Sequence, residues 1–261
     1  MRLIDTHTHQ YQPKFDSDRP QSIERCLEAG VDTLLLPNID VKSIPRVLSM
    51  MEKWPQICHG MMGLHPCHVD ENFEEALNTI KNQLDNPPTG KRFVAVGEIG
   101  IDLYWDKTHI ELQKLAFIEQ CAWAKERSLP IVIHVRNSWE ELFDTMDKVN
   151  DDNLTGVFHC FTGGDHEASR ALEYGGFLLG IGGVSTYKNG GLDKVLPNVG
   201  VENLVLETDS PYLAPAPFRG KRNESSYVFH IAERVAEILN LTTEEVSRAT
   251  TENAVNLFRL N

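Results

Sequence analysis

Eight short apolar runs alternating with helical patterns along 261 residues predict an α/β protein, a TIM (β/α)8 barrel folded as one domain, 1–261. The length lies close to the roughly 250 residues usual for such barrels. No linker-like shift in composition divides the chain, and side chains able to bind metal stand where several apolar runs stop. At a barrel mouth, groups from the C-terminal ends of distant strands converge on one pocket.

Leu3-Ile4 is a first buried strand; 22–30 reads as a capped helix closed by Gly30, 31–36 as a strand, 41–53 as a helix and 57–64 as the third strand. The pattern over 73–84 is helical, Pro87-Pro88-Thr89-Gly90 breaks it, and 93–96 forms the strand leading to Glu98. Residues 109–127 carry the strongest helical signal, with Leu112, Leu115, Ala116, Ala122 and Trp123 recurring at steps of three and four. Pro130 starts strand five over 131–133. A helix over 139–149, a strand over 154–158, a helix over 166–174 and strands over 177–180 and 203–206 complete eight strands. After Asp209 a proline-rich loop, 211–217, leads to helices over 227–239 and 243–258, the second opened by a capping box of Thr242 and Glu245. Strands alternating with helices select a parallel sheet with right-handed crossovers. An open doubly wound sheet is the alternative, but no dinucleotide-type glycine fingerprint follows the first strand.

Composition bounds the function. With 24% charged and 41% hydrophobic residues and no low-complexity tract, the chain is expected to be globular rather than disordered. Asp5 and two histidines follow the start too closely for a signal-peptide core, and no apolar run is long enough to span a bilayer. Cys26, Cys58, Cys67, Cys121 and Cys160 form an odd set without a Cys-x-x-Cys pair, which argues against a disulfide framework or zinc knuckle and for a reducing cytoplasm. A formal net charge of −13 repels polyanions unless metals and local basic residues reverse the field at a site. Extended duplex binding is therefore not expected, whereas a nucleic-acid end held at metals is compatible with the charge.

Six residues carry the proposed chemistry: His7, His9, Glu98, His134, His159 and Asp209. In an extended strand, residues two apart share a face, so His7 and His9 can hold one metal, with Asp5 on the same face to orient an imidazole. An isolated His-x-His is more often a hydrogen-bonded strand end; the other strands with matching ends reverse that judgement. Glu98 is the candidate bridge, because a carboxylate between two divalent cations lowers their repulsion. His134 and His159 would complete the second metal and Asp209 the first. Such a pair of divalent ions, zinc, magnesium or manganese, supplies Lewis acidity and a water acidified towards ~7. Asp209 is also the candidate general base. No Gly-x-Ser-x-Gly is present, and Cys160 reads as a buried strand-end residue rather than a nucleophile.

For substrate binding, Arg136 shares the face of His134 and offers a guanidinium to a phosphate oxygen. Arg219, Lys221 and Arg222 form a compact basic patch, equally readable as a solvated loop. His65 ends the third strand and is a candidate contact for substrate, or holds a local hydrogen bond instead. A small-molecule amidohydrolase or lactonase on the same metals, and a catalytically silent scaffold, are the rival readings.

The segments Asp5-Thr6-His7-Thr8-His9, Gly63-Leu64-His65-Pro66, Gly97-Glu98-Ile99-Gly100-Ile101-Asp102, His134-Val135-Arg136, His159-Cys160-Phe161-Thr162-Gly163 and Glu207-Thr208-Asp209-Ser210-Pro211-Tyr212-Leu213 together resemble the TatD family of metal-dependent deoxyribonucleases, a branch of the amidohydrolase-like barrels. Arg219-Gly220-Lys221-Arg222-Asn223 extends the likeness, and the motifs cover nearly the whole chain in the family's order. The resemblance implies a TIM barrel with a divalent metal pair that removes nucleotides from DNA ends, and ligand roles for the six residues above. Ser225 departs from the proline usual at that position of the family. Members differ in substrate, so the fold transfers better than the substrate does.

Overall fold

The computed structural model describes residues 1–87, 90, 92–105 and 107–260. Eight strands, β1 (Leu3–Asp5), β2 (Val31–Pro37), β3 (Cys58–Met61), β4 (Val96–Asp102), β5 (Ile131–Arg136), β6 (Gly156–Phe158), β7 (Phe177–Ile181) and β8 (Leu204–Leu206), pair in chain order and in parallel as β1-β2-β3 and β4 to β8. Single bridges close the ring: Met62 with Val96 joins β3 to β4, and Thr8 with Ser210 joins the two ends of the circuit. Thr6 N–H also donates to the Leu206 carbonyl at 3.0 Å. The strands are three to seven residues long and rich in apolar residues, as expected where both faces are covered.

Nine helices among the described residues surround the strands: α1 (Arg19–Glu28), α2 (Ile44–Lys53), α3 (Phe73–Asp85), α4 (Ile110–Arg127), α5 (Trp139–Val149), α6 (Asp165–Glu173), α7 (Leu192–Val199), α8 (Val228–Leu239) and α9 (Thr243–Phe258). The capping box forms as expected, with Glu245 N–H donating to Thr242 Oγ1 and Thr242 N–H to Glu245 Oε2. Helix α7 has no counterpart in the sequence reading. Glycines precede it and Pro197 lies inside it, both discouraging signals. Its Leu192, Val195, Leu196 and Val199 are nonetheless buried, at a spacing that puts them on one face. Pro88 and Thr89 of the expected helix-breaking stretch lie outside the described residues.

Two apolar layers explain the side-chain order. The barrel interior is filled by one residue from or beside nearly every strand: Ile4, Leu35, Met61, Ala95, Val132, Val157 and Val205. Phe258 and Ala254 of α9 and the following Leu260 pack against that layer and seal the N-terminal end of the barrel. Ser247 and Thr251 of the same helix donate to the Arg2 carbonyl, at 2.7 and 3.0 Å. Alternate strand residues such as Leu34, Leu36, Ile131 and Ile133 belong to the outer layer with the helices. A step of two from the interior layer leads upward from Val132 to His134, from Val157 to His159 and from Val205 to Glu207. The apolar plug thus delivers polar side chains to the open end.

Candidate metal centre at the barrel mouth

Glu98 departs from that alternation. Gly97 faces Val132, since a Cβ there would lie 2.7 Å from the Val132 Cβ, so strict alternation would send Glu98 outward. The β4–β5 register instead pairs Gly97 with Val132 and Ile99 with Ile133, skipping Glu98. This slip turns the carboxylate into the barrel, as bulges beside active sites do. Gly100, at φ +151°, then lets β4 pass against β5, where a Cβ would lie 2.0 Å from the His134 carbonyl.

The carboxylate is almost fully buried, and its two oxygens face different imidazoles. Oε2 lies 3.3 Å from His7 Nε2 and 3.7 Å from His9 Nε2. Oε1 lies 2.9 Å from His134 Nδ1, 3.3 Å from His65 Nε2 and 3.6 Å from His159 Nε2. Asp209 Oδ1 stands 3.2 Å from His9 Nε2, on the Oε2 side. All six residues proposed as ligands from sequence therefore meet at one place. Donor atoms of His7, His9 and Glu98, of His7, His159 and Asp209, and of His65, Glu98 and His134 lie within 4.8 Å of one another in each group. His65, read from sequence as a substrate contact, stands in a ligand-like position beside Glu98; its Nδ1 accepts from Cys67 N–H at 3.0 Å.

The strand expected to carry the histidine pair ends at Asp5, so His7 and His9 sit on the loop beyond it. The Thr8 to Ser210 bridge holds that loop. Asp5 does not orient an imidazole: it accepts from Thr208 N–H at 2.9 Å and Thr208 Oγ1 at 2.6 Å, pinning the β8 end where the barrel closes. Burial pushes the Asp5 carboxyl up to about 7 despite those bonds. Two carboxylates that sequence reasoning passed over take the orienting role. Asp102 Oδ2 lies 2.8 Å from His134 Nε2, and Glu207 Oε1 lies 2.9 Å from His159 Nδ1. Glu207 Oε1 also accepts from Cys160 N–H at 2.7 Å. The signal was the step of two: Glu207 follows Val205 and precedes Asp209 on the inward face.

The electrostatics arise from burial and pairing. Burial alone would raise the Glu98 pKa, but His65 and His7 and hydrogen bonds from His134 and His65 hold it well below the ordinary carboxylate range. Burial lowers the pKa of His65 to about 4, and that of His7 also falls, pushed further by His159. Burial acts the same way on His159, yet the Glu207 charge and contact raise it to about 10. His7 and His159 stack with centroids 3.5 Å apart and 16° between planes, a geometry that disfavours a proton on both rings at once. Both ring nitrogens of His7 are buried without a hydrogen-bond partner. Such orphaned nitrogens are costly in a folded protein, and divalent cations ligated between these imidazoles and carboxylates would satisfy them. The donor set thus fits metal.

Backbone strain concentrates at the same end. Asn137, Cys160, Asp209 and Leu213 all adopt positive φ, between 46° and 55°. Such conformations persist where the surroundings over-determine them, typically at sites. A cavity of about 600 Å3 opens over the cluster, lined among others by Arg136, Trp105, Tyr212 and Leu213. Arg136 stands at its rim with its guanidinium 3.8 Å from the Tyr104 ring centre. The basic loop lies elsewhere. Arg222 donates to both Asp18 oxygens at 2.6 Å, Arg219 stacks on Tyr187 at 4.4 Å, and neither these two nor Lys221 lines the cavity.

A closed parallel barrel whose mouth gathers five imidazoles and several carboxylates around a buried glutamate defines the class of metal-dependent hydrolases. The family model described as TatD related DNase matches residues 4–259. The chain belongs to this family and is a TatD-type metal-dependent hydrolase acting on ester bonds. It is 38% identical to the uncharacterized metal-dependent hydrolase YabD of Bacillus subtilis, over 99% of this chain and 100% of that protein. It is 30% identical to the 3'-5' ssDNA/RNA exonuclease TatD of Pectobacterium carotovorum, over 99% of this chain and 100% of that one. The crystal structure of the TatD homologue YJJV of Escherichia coli superposes with a TM-score of 0.91 at 29% identity, covering 100% of this chain and 99% of that chain.

Proposed function

We propose that the protein hydrolyses phosphodiester bonds at the ends of single-stranded nucleic acid with a divalent metal pair that the side chains gathered around Glu98 would hold. The observation that carries this reading is the division of the Glu98 carboxylate, with Oε2 towards His7 and His9 and Oε1 towards His134, His65 and His159. His7, His9 and Asp209 would hold one ion and His134 and His159 the other, with His65 beside the second. A bound divalent pair supplies Lewis acidity for the phosphoryl oxygens and acidifies a water.

The chain's own residues do the rest. Glu207 and Asp102 fix the ring orientations of His159 and His134, so that neither ring must reorganise when charge builds at the centre. Asp209 lines the cavity and serves as the proton acceptor for the attacking water and as donor to the leaving oxygen. Arg136 meets a phosphate oxygen at the rim by a charge-assisted hydrogen bond. The name of the Pectobacterium relative supports a single-stranded substrate, and the −13 charge disfavours an extended duplex. An odd number of cysteines without a Cys-x-x-Cys pair supports a reducing compartment such as the cytoplasm. An activity panel tests the proposal: the metal-loaded protein is expected to cleave a single-stranded oligonucleotide and an aryl phosphodiester and to leave amides and lactones intact. Turnover of amides or lactones with none of the phosphodiesters would contradict it.

A further inference from the structure

We propose that Trp105, braced by Tyr104 and Arg136, is a stacking platform for the terminal unpaired base of the substrate, and so a specificity-determining residue. The inference rests on the phosphodiesterase reading above and adds a contact with the base to that with the phosphate. Of the eight large apolar side chains exposed among the described residues, four lie here: Trp105, 70% exposed, lines the cavity with Tyr212 and Leu213, at 42% and 40%, and Tyr104, at 52%, stands beside Trp105. A solvent-facing indole at the edge of a catalytic cavity stabilises nothing in the barrel core; its π-face is available to a ligand.

The placement matches what a nucleotide requires. The Arg136 guanidinium stacks 3.8 Å from the Tyr104 centroid and lies 5.5 Å from that of Trp105. The two aromatic rings meet edge to face with centroids 4.9 Å apart. A cation for phosphate and a π-face for the base are therefore adjacent, the pairing used by single-strand binding surfaces. The platform is also tied to the cluster. Asp102 Oδ1 accepts the Tyr104 and Trp105 backbone N–H groups, at 2.9 and 3.2 Å, while its Oδ2 stands 2.8 Å from His134 Nε2. One carboxylate thus fixes the distance between the aromatic loop and the reacting centre. A protein partner would also use an exposed Trp, but continuity with the cavity and the Arg136 contact favour a nucleotide end.

The test uses metal-loaded enzyme and two substrates, a single-stranded oligonucleotide and the same strand with an abasic residue at the attacked end. Trp105→Ala is expected to raise KM for the normal strand by about ten- to a hundredfold with kcat unchanged, as loss of one stacked base predicts. Trp105→Phe should restore most of the loss. The wild type should show a similar penalty on the abasic strand, and Trp105→Ala none. Truncating so exposed a side chain leaves the core intact, so misfolding does not confuse the result. An unchanged KM in Trp105→Ala, or a full abasic penalty in that variant, overturns the assignment while leaving the phosphodiesterase reading in place. If metal-loaded wild type cuts no oligonucleotide, that reading fails and this inference with it.

Discussion

Glu98 shows how a single residue is made functional by backbone geometry. Its inward position depends on the slip between Gly97 and Ile99, which no apolar pattern announces, although the sequence did single out the side chain as a candidate ligand. The same holds in reverse for Asp5: its place beside the histidines suggested an orienting role, yet strand closure claims it for Thr208. Roles for Glu207 and Asp102 escaped the sequence reading because a carboxylate that supports a histidine from behind looks like any strand-end acid. Glu98→Ala or Asp209→Ala is expected to abolish hydrolysis while the fold persists, checked by turnover and circular dichroism together. Glu207→Gln should lower metal affinity or activity by about 10- to 100-fold, the usual loss when the partner of a ligating histidine goes; metal titration measures it. Arg136→Ala should weaken substrate binding by roughly 1.5 to 3 kcal/mol, the scale of a charge-assisted contact, read as a rise in KM.

At the scale of elements, the helices were the more legible. Helices α5 and α9 begin and end where their apolar spacing and, for α9, the Thr242 cap place them. Helix α7 was hidden by Pro197 and the glycines before it, since its stability comes from burying Leu192, Leu196 and their neighbours rather than from propensity. Strand edges were less readable, because β4 and β5 run on through Asp102 and Arg136, past the apolar residues that signal them. The basic loop after β8 is bound to the loop before α1 through Asp18, which Arg222 and Arg25 hold down to a pKa of about 2. A carboxylate depressed in the folded state stabilises above its unfolded pKa and loses that contribution as pH falls through the folded value. The stability difference between wild type and Asp18→Asn should therefore be constant above about pH 4 and vanish towards about pH 2. Denaturant titrations across that window measure it; a difference that grows on acidification contradicts the assignment.

For the whole molecule, the barrel divides its labour between a dry N-terminal end and a polar, strained mouth. Apolar runs that stop at potential ligands made the polar mouth legible from sequence, because strands buried in a barrel leave the residues just beyond them at the open end. Removing metal should cost stability, since it leaves His7 and its neighbours buried without partners. At a metal concentration near a hundred times its dissociation constant, linkage predicts about 2.7 kcal/mol of stabilisation per site. Thermal unfolding with and without chelator checks this, and an unchanged midpoint would contradict it. Among the described residues no helix is long and apolar enough to cross a membrane. The central proposal is that Glu98 would take part in holding two cations. Anomalous diffraction from metal-loaded crystals tests it most directly: two peaks are predicted, one beside His7, His9 and Asp209 and one beside His134 and His159, with Glu98 between them. A peak remote from Glu98, or no peak at all, would contradict it.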